Sequence, residues 1–286
     1  MTTTTAPRPN PGHRRARPRI GPSGAVSTWL KDIASLGAAF LTLPLLMLLL
    51  RAPWGSMGQA LSSTTAKQAL ALSAFSATAA TICALFLGLP LAFVLAKSHS
   101  RKSWLLRAIV LVPLVLPPVV GGTALLLAFG RTSILGGLAY RAFGVQLPFT
   151  TAGVVVAETF VALPFIVLTL EAAIRSHGDR LDQAAATLGA SRWQTIRFVT
   201  VPILGPAIVA GAMLGFARAL GEFGATITFA GSFPGTTQTL PLAIYQALET
   251  QPDTAAALSV VLLGFTALAL VLLRGRLSGW GRGADA

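Results

Sequence analysis

From Leu70 to Ala96 this chain carries no Asp, Glu, Lys or Arg. Comparable runs return at about 33–50, 108–129, 151–170, 199–219 and 255–273, interrupted only by Glu158 and Arg218. About 20 consecutive apolar residues are what an α-helix needs to cross a bilayer. In hydrocarbon every backbone N–H and C=O must be paired within the protein, which leaves helices or a closed barrel. The runs are continuous and do not alternate in short segments, so a barrel is excluded. Only 11% of the residues are charged, against roughly 25% in soluble domains. The expected fold is therefore all-α, a polytopic transmembrane helix bundle of about six spans. Pro44 is expected to bend the first span, and the third holds Pro113, Pro117, Pro118, Gly121 and Gly122. Two readings of the third span stand level: a kinked helix lining a pathway, and a helix bent only by packing. The stretch 130–148 reads as a Gly-rich external loop and 221–241 as an irregular segment.

The net charge of +13 raises the question of nucleic acid, but the distribution argues against it. Seventeen Lys and Arg lie in the two tails, in 97–107 and in 175–197. The opposite side has only Arg51, Lys67, Arg131 and Arg141, and Arg218 is intramembrane. Basic residues concentrate on the cytoplasmic side of membrane proteins, which puts both termini there. The organisation expected is a disordered basic tail over 1–30, a transmembrane domain over 31–276, and a short cytoplasmic tail over 277–286. Arg14-Arg15 lacks the apolar core of a twin-arginine signal. Cys83 is the only cysteine, so no disulfide framework and no cysteine metal site exists. His13, His99 and His177 are scattered through polar segments and read as solvated side chains.

Two stretches carry more than hydropathy. The first is Leu181–Pro202, LDQAAATLGASRWQTIRFVTVP, between two apolar runs. Ala184, Ala185 and Ala186 favour helix. Gly189 permits a backbone turn that a Cβ would resist, and Ser191 can cap a second helical segment running through Trp193, Ile196 and Arg197. The pattern predicts helix, sharp turn, helix: a knob standing clear of the membrane. The second is Arg218-Ala-Leu-Gly-Glu222-Phe-Gly-Ala-Thr226-Ile-Thr228, followed by FAGSFPGTTQTLP. Arg218 and Glu222 are four apart and share one helix face, so they can pair. Thr226, Thr228, Ser232, Thr236 and Thr237 offer hydroxyls, and broken-helix N-termini offer backbone N–H groups suited to an anion. Glu222 would repel an anion unless Arg218 neutralised it, so its role is structural or in gating. Glu158 is open to three readings: a partner for Arg218, a proton carrier, or a residue of a water-filled cleft. Gly211 and Gly215 suit close helix packing, either within the chain or across a dimer.

The loop resembles the EAA loop of ABC-importer permeases: Gln183-Ala184-Ala185, then Gly189, then Val201-Pro202. Gln183 stands where that family usually has Glu, with Asp182 beside it. Glu171-Ala172-Ala173 lacks the spaced glycine and is set aside as a decoy. The second stretch resembles the GE(F/Y)GA signature of sulfate and molybdate permeases. The run GATITFAGSFPGTTQTLPLAIY is most similar to the molybdate type, supported by LGLPLA at 87–92 and VLPPVV at 115–120.

This resemblance implies a type I importer permease for molybdate, with tungstate as a co-substrate. It works as a pair of permease subunits, most simply a homodimer, with a cytoplasmic ABC ATPase dimer and a periplasmic or lipid-anchored binding protein. The coupling loop then spans about 172–200, with Asp182, Gln183, Ala184, Ala185, Gly189, Arg192 and Pro202 at the ATPase contact. Arg218, Glu222, Thr226, Thr228, Ser232 and Glu158 belong to the pathway or gate. No cofactor or metal is expected in this chain. It has neither GxxxxGK[ST] nor HExxH, so ATP and Mg would be bound by the partner, and this chain would not be an enzyme. Expected surroundings are membrane lipid in a bacterial plasma membrane, and no nucleic acid. The rivals are a sulfate permease of the same fold and a proton-coupled secondary anion transporter.

Overall fold

The computed structural model describes residues 28–98, 100–178 and 180–281, with side chains except at 180–182, 270 and 272–281. The tail up to residue 27, with His13 and Arg14-Arg15, lies outside the described residues, as do His99, the last five residues and the side chain of Asp182.

Helix α1 (Thr28–Leu50) starts before the expected 30/31 junction, runs through Pro44, and buries none of its residues. It forms a unit by itself up to Met47. The remainder, from Leu48, is one bundle, and no strand occurs among the described residues. A short α2 (Met57–Ser62) leads into α3 (Thr64–Lys97), which is capped by Ser63 Oγ accepting from Ala66 N–H. The expected third span is two helices, α4 (Arg101–Val115) and α5 (Pro118–Phe129), turned through 119°. Leu116 and Pro117 each precede a proline, which disfavours the helical conformation. Both are extended, with ψ 131. The proline pair therefore makes a corner and not the expected bend.

Next comes α6 (Ile134–Phe143), inside the stretch read as a loop. Its limits obey ordinary rules: Ser133 caps one end and Gly144, at φ 66, ends the other. Helix α7 (Thr151–His177) follows, then α8 (Arg180–Thr187) and α9 (Arg192–Thr195). The chain continues as a π-helical stretch (Ile196–Thr200) and one turn, α10 (Val201–Ile203). Pro202 has no N–H to give to a carbonyl four residues back. The neighbouring Val201 N–H instead reaches back five residues to Ile196. Helix α11 (Gly205–Leu220) leaves this segment at 66°. The segment read as irregular contains α12 (Gly224–Ala230) and the start of α13 (Leu240–Thr250), and α14 (Pro252–Gly281) ends the described chain, past the expected 276/277 boundary. Four of these helices are long and apolar enough to cross a membrane, or up to 6 spans with each bent pair taken as one.

Helices α3 and α7 form the centre and run parallel: Ser76 meets Glu158, Gly88 meets Ile166, and Leu95 meets Arg175. Small residues make this approach close. Ala77, Ala80, Ala84, Gly88 and Ala92 recur every three or four residues on the buried face of α3, so the larger Ile166, Val167 and Leu170 of α7 can fill the space. Helix α11 packs antiparallel to α7 and also touches α3. A Cβ on Gly215 would lie 2.7 Å from Ile166 Cδ1, and Gly211 faces Ile166 and Thr169. These two glycines make a contact within the chain. The 97–101 and 178–191 segments mark one end of the bundle, called here the loop end; α2, α6 and the start of α13 mark the far end.

Candidate functional site

Two sites emerge, at different depths. At the loop end, α8 stops in a Schellman arrangement. Ala190 N–H donates to Ala185 O, and Gly189 N–H to Ala186 O, both at 3.0 Å. Gly189 takes φ +82, and a Cβ there would meet nothing within 4 Å. The glycine is therefore demanded by the backbone conformation and not by crowding. Ser191 then caps α9 through a full capping box: its Oγ accepts from Gln194 N–H while Gln194 Oε1 accepts from Ser191 N–H. The helix–turn–helix expected from the sequence is present. Its backbone is satisfied and its apolar side chains are not. Leu188 is 89% exposed, Trp193 67% and Phe198 67%. Gln183, Ala184 and Arg192 are also exposed, Ala185 is buried, and Pro202 sits where the π-helical stretch ends. A groove of about 560 Å³ separates the knob from the end of α3, lined by Phe93, Lys97, Gln183, Arg192, Thr195 and Ile196 among others.

The second site lies where α11 ends and α12 begins. Arg218 Nη1 meets Glu222 Oε2 at 2.5 Å, as their spacing predicts. Glu222 is 1% exposed, and its other oxygen accepts from Ala225 N–H at 2.8 Å. A cation in the last turn of α11 and an anion at the first turn of α12 match the partial charges of the two helix ends. The junction Gly221–Phe223 thus holds a broken helix together through one carboxylate. This changes the anion-site expectation, since Glu222 already takes one of the N–H donors of α12. The close approach of α5 fixes α12 from the other side: a Cβ on Gly122 would lie 2.7 Å from Ala225 O, and one on Gly224 2.6 Å from Pro118 Cβ.

The expected hydroxyls do not form one set. Thr228 Oγ1 donates to Gly224 O, and Thr237 Oγ1 accepts from Phe233 N–H. Thr226 is fully buried, and neither its Oγ1 nor Ser232 Oγ has a hydrogen-bond partner. Thr236 is exposed, and its carbonyl accepts from Thr151 Oγ1. Glu158 is not the partner of Arg218; its Oε1 accepts from Ser76 Oγ at 2.9 Å. Sequence reasoning missed Ser73, whose Oγ accepts from Leu240 N–H at 2.6 Å and anchors the start of α13. It also passed over Glu171, which receives both Arg107 and Arg175. Among the described residues no group of His, Cys, Asp and Glu could hold a metal ion.

Comparison with known proteins identifies the family. Residues 84–277 match the family model described as the binding-protein-dependent transport system inner membrane component. The molybdenum transport system permease protein ModB of Mycobacterium tuberculosis is 46% identical over 243 residues, covering 85% of this chain and 92% of the relative. The protein of that name from Escherichia coli K12 is 37% identical over 206 residues, 72% of this chain and 90% of the relative. Among solved structures, a chain of a bacterial ABC transporter that imports the polysaccharide alginate superposes with TM-score 0.64 at 18% identity, covering 89% of this chain and 96% of that one. A chain of the MetNI methionine ABC transporter, in an inward-facing form, gives TM-score 0.55 at 20% identity, covering 82% of this chain and 98% of that one. This chain belongs to the binding-protein-dependent transport system inner membrane component family, the multi-pass permeases of ABC importers.

Proposed function

We propose that this chain is the membrane-spanning permease subunit of an ATP-driven importer of molybdate, with tungstate as a co-substrate. The observation that carries the reading is the 46% identity, across nearly the whole relative, to a molybdenum transport permease. The geometry supports the division of labour. The chain works as a homodimer in a bacterial plasma membrane with both termini in the cytoplasm. A separate ATPase dimer binds ATP and Mg and docks on the knob around Gly189, where Leu188 and Trp193 offer apolar surface. A periplasmic or lipid-anchored binding protein delivers the anion at the far end. This chain holds no cofactor and catalyses no hydrolysis. It converts ATPase closure into alternating access.

The Arg218–Glu222 pair keeps the α11–α12 junction closed on itself and nearly neutral, so a dianion passes this point without facing an unpaired carboxylate. The test is uptake of labelled molybdate by proteoliposomes containing the permease, its ATPase and its binding protein. Tungstate should compete and an equal concentration of sulfate should not. Competition by sulfate would favour the sulfate permease, and uptake abolished by an uncoupler with ATP supplied would favour the proton-coupled rival.

A further inference from the structure

Glu171 sits near the loop end of α7, facing two neighbouring helices. One of its oxygens, Oε1, is shared by two guanidiniums: Arg107 of α4, and Arg175 of α7 at 2.9 Å. Both arginines also donate to Leu95 O in the last turns of α3, at 3.4 and 2.9 Å. The last carbonyls of a helix have no intrahelical partner, and two cations there also answer its negative end. One carboxylate and one carbonyl thus tie three helices together. Glu171 is buried, unlike an exposed ion pair, which contributes little. Guanidinium forks fix direction as well as charge.

The position of this clamp matters. From Glu171 helix α7 runs directly to His177, and the knob begins just beyond. From Arg107 helix α4 runs to the Leu116–Pro117 corner, and α5 beyond it is seated against α12 at Gly122 and Gly224. Helix α12 is tied in turn to α11 by Glu222. Packed contacts are therefore continuous from the knob to the α11–α12 junction.

We infer that Glu171 is a positioning residue for transport. It locks the loop ends of α3, α4 and α7 into one rigid body, so that displacement of the knob reaches the α5–α12 contact and is not lost in slippage between helices. The inference rests on the proposed reading of the knob as the ATPase contact. Contiguity alone does not establish energetic coupling, so the test must read coupling and not amount of protein.

ATP hydrolysis and molybdate uptake are to be measured on the same proteoliposomes of the full complex. Glu171→Gln should keep the ATPase bound and hydrolysing while anion delivered per ATP falls about tenfold. Arg107→Cys with Glu171→Cys, in a Cys83→Ala background, should be equally uncoupled. Bridging the pair with a short bis-methanethiosulfonate should restore the ratio. An unchanged ratio in Glu171→Gln, a parallel fall of hydrolysis and uptake, or a bridged pair as uncoupled as the open one would overturn the inference. If Glu171→Gln fails to insert, the bridged and open pair decide alone. Failure of the unmodified complex to retain its ATPase or import molybdate would instead count against the underlying functional reading.

Discussion

The knob at 180–200 and the junction at 218–225 both stop one helix and start another, but they are made of opposite materials. The knob is shaped by backbone: one glycine at φ +82, a Schellman pair and a capping box. Its polar backbone is satisfied while Leu188, Trp193 and Phe198 remain uncovered. The junction is shaped by charge. Glu222 spends one oxygen on Arg218 and the other on Ala225 N–H, and it is almost completely buried. A turn whose apolar side chains lack internal partners suits the docking role proposed above. A turn whose charges are consumed internally is built to keep its own shape. Mutations at the two places should therefore fail differently, the junction in stability and the knob in assembly.

The largest effect is expected at the junction. Arg218→Gln leaves the buried Glu222 without its cation, a loss of about 3–5 kcal/mol. Glu222→Gln should cost less, about 1–3 kcal/mol, because Arg218 is 29% exposed and can turn toward water or headgroups. Unfolding of detergent-solubilised single and double variants measures the coupling. A value below about 0.5 kcal/mol would show that the pair does not hold the junction.

Next is the packing behind both sites. Gly215→Ala would place a methyl 2.7 Å from Ile166 Cδ1, an overpacking cost of about 1–3 kcal/mol. Adding Ile166→Ala should cost less than the sum of the two single changes, and additive losses would contradict the contact. Smaller still is Ser76→Ala, which removes the hydrogen bond to Glu158 for about 1–2 kcal/mol. The loss should shrink when Glu158→Leu has removed the acceptor, and an equal loss in both backgrounds would mean the bond carries no weight.

A fourth prediction concerns sides and not energies. In a Cys83→Ala background, cysteines at Ser100 and Ser176 should be protected from an impermeant thiol reagent in intact cells, while one at the exposed Phe143 of α6 should react. Labelling of the first two from outside would invert the bundle.

The same contrast governs what could be read from the residues beforehand. The spans are legible because apolar runs report the bilayer directly. The knob is legible because Gly189 and Ser191 act locally, through their own backbone and their near neighbours. The i, i+4 spacing likewise predicts the Arg218–Glu222 pair. Helices α6 and α13 were hidden because they are short. In α6, Gly136 and Gly137 look like loop, although Ser133 and Gly144 bracket it correctly. Glu171 was set aside for want of a nearby glycine, yet its partner Arg107 lies 64 residues earlier and meets it only once α3, α4 and α7 have packed. Serines 73 and 76 carried no signal in the sequence, because Leu240 and Glu158 reach them only through tertiary contact.

The central claim is that the knob is a docking surface set by the left-handed turn at Gly189. Its most direct test is co-purification of the ATPase with two variants. Gly189→Asn places a residue that tolerates the left-handed region, whereas Gly189→Val carries a backbone penalty of about 1–2 kcal/mol in a position where a side chain would meet no steric obstacle. With equal membrane insertion, the account predicts that the Asn variant retains the ATPase and the Val variant loses it. A Val variant that holds the ATPase as well as the unmodified permease would contradict it.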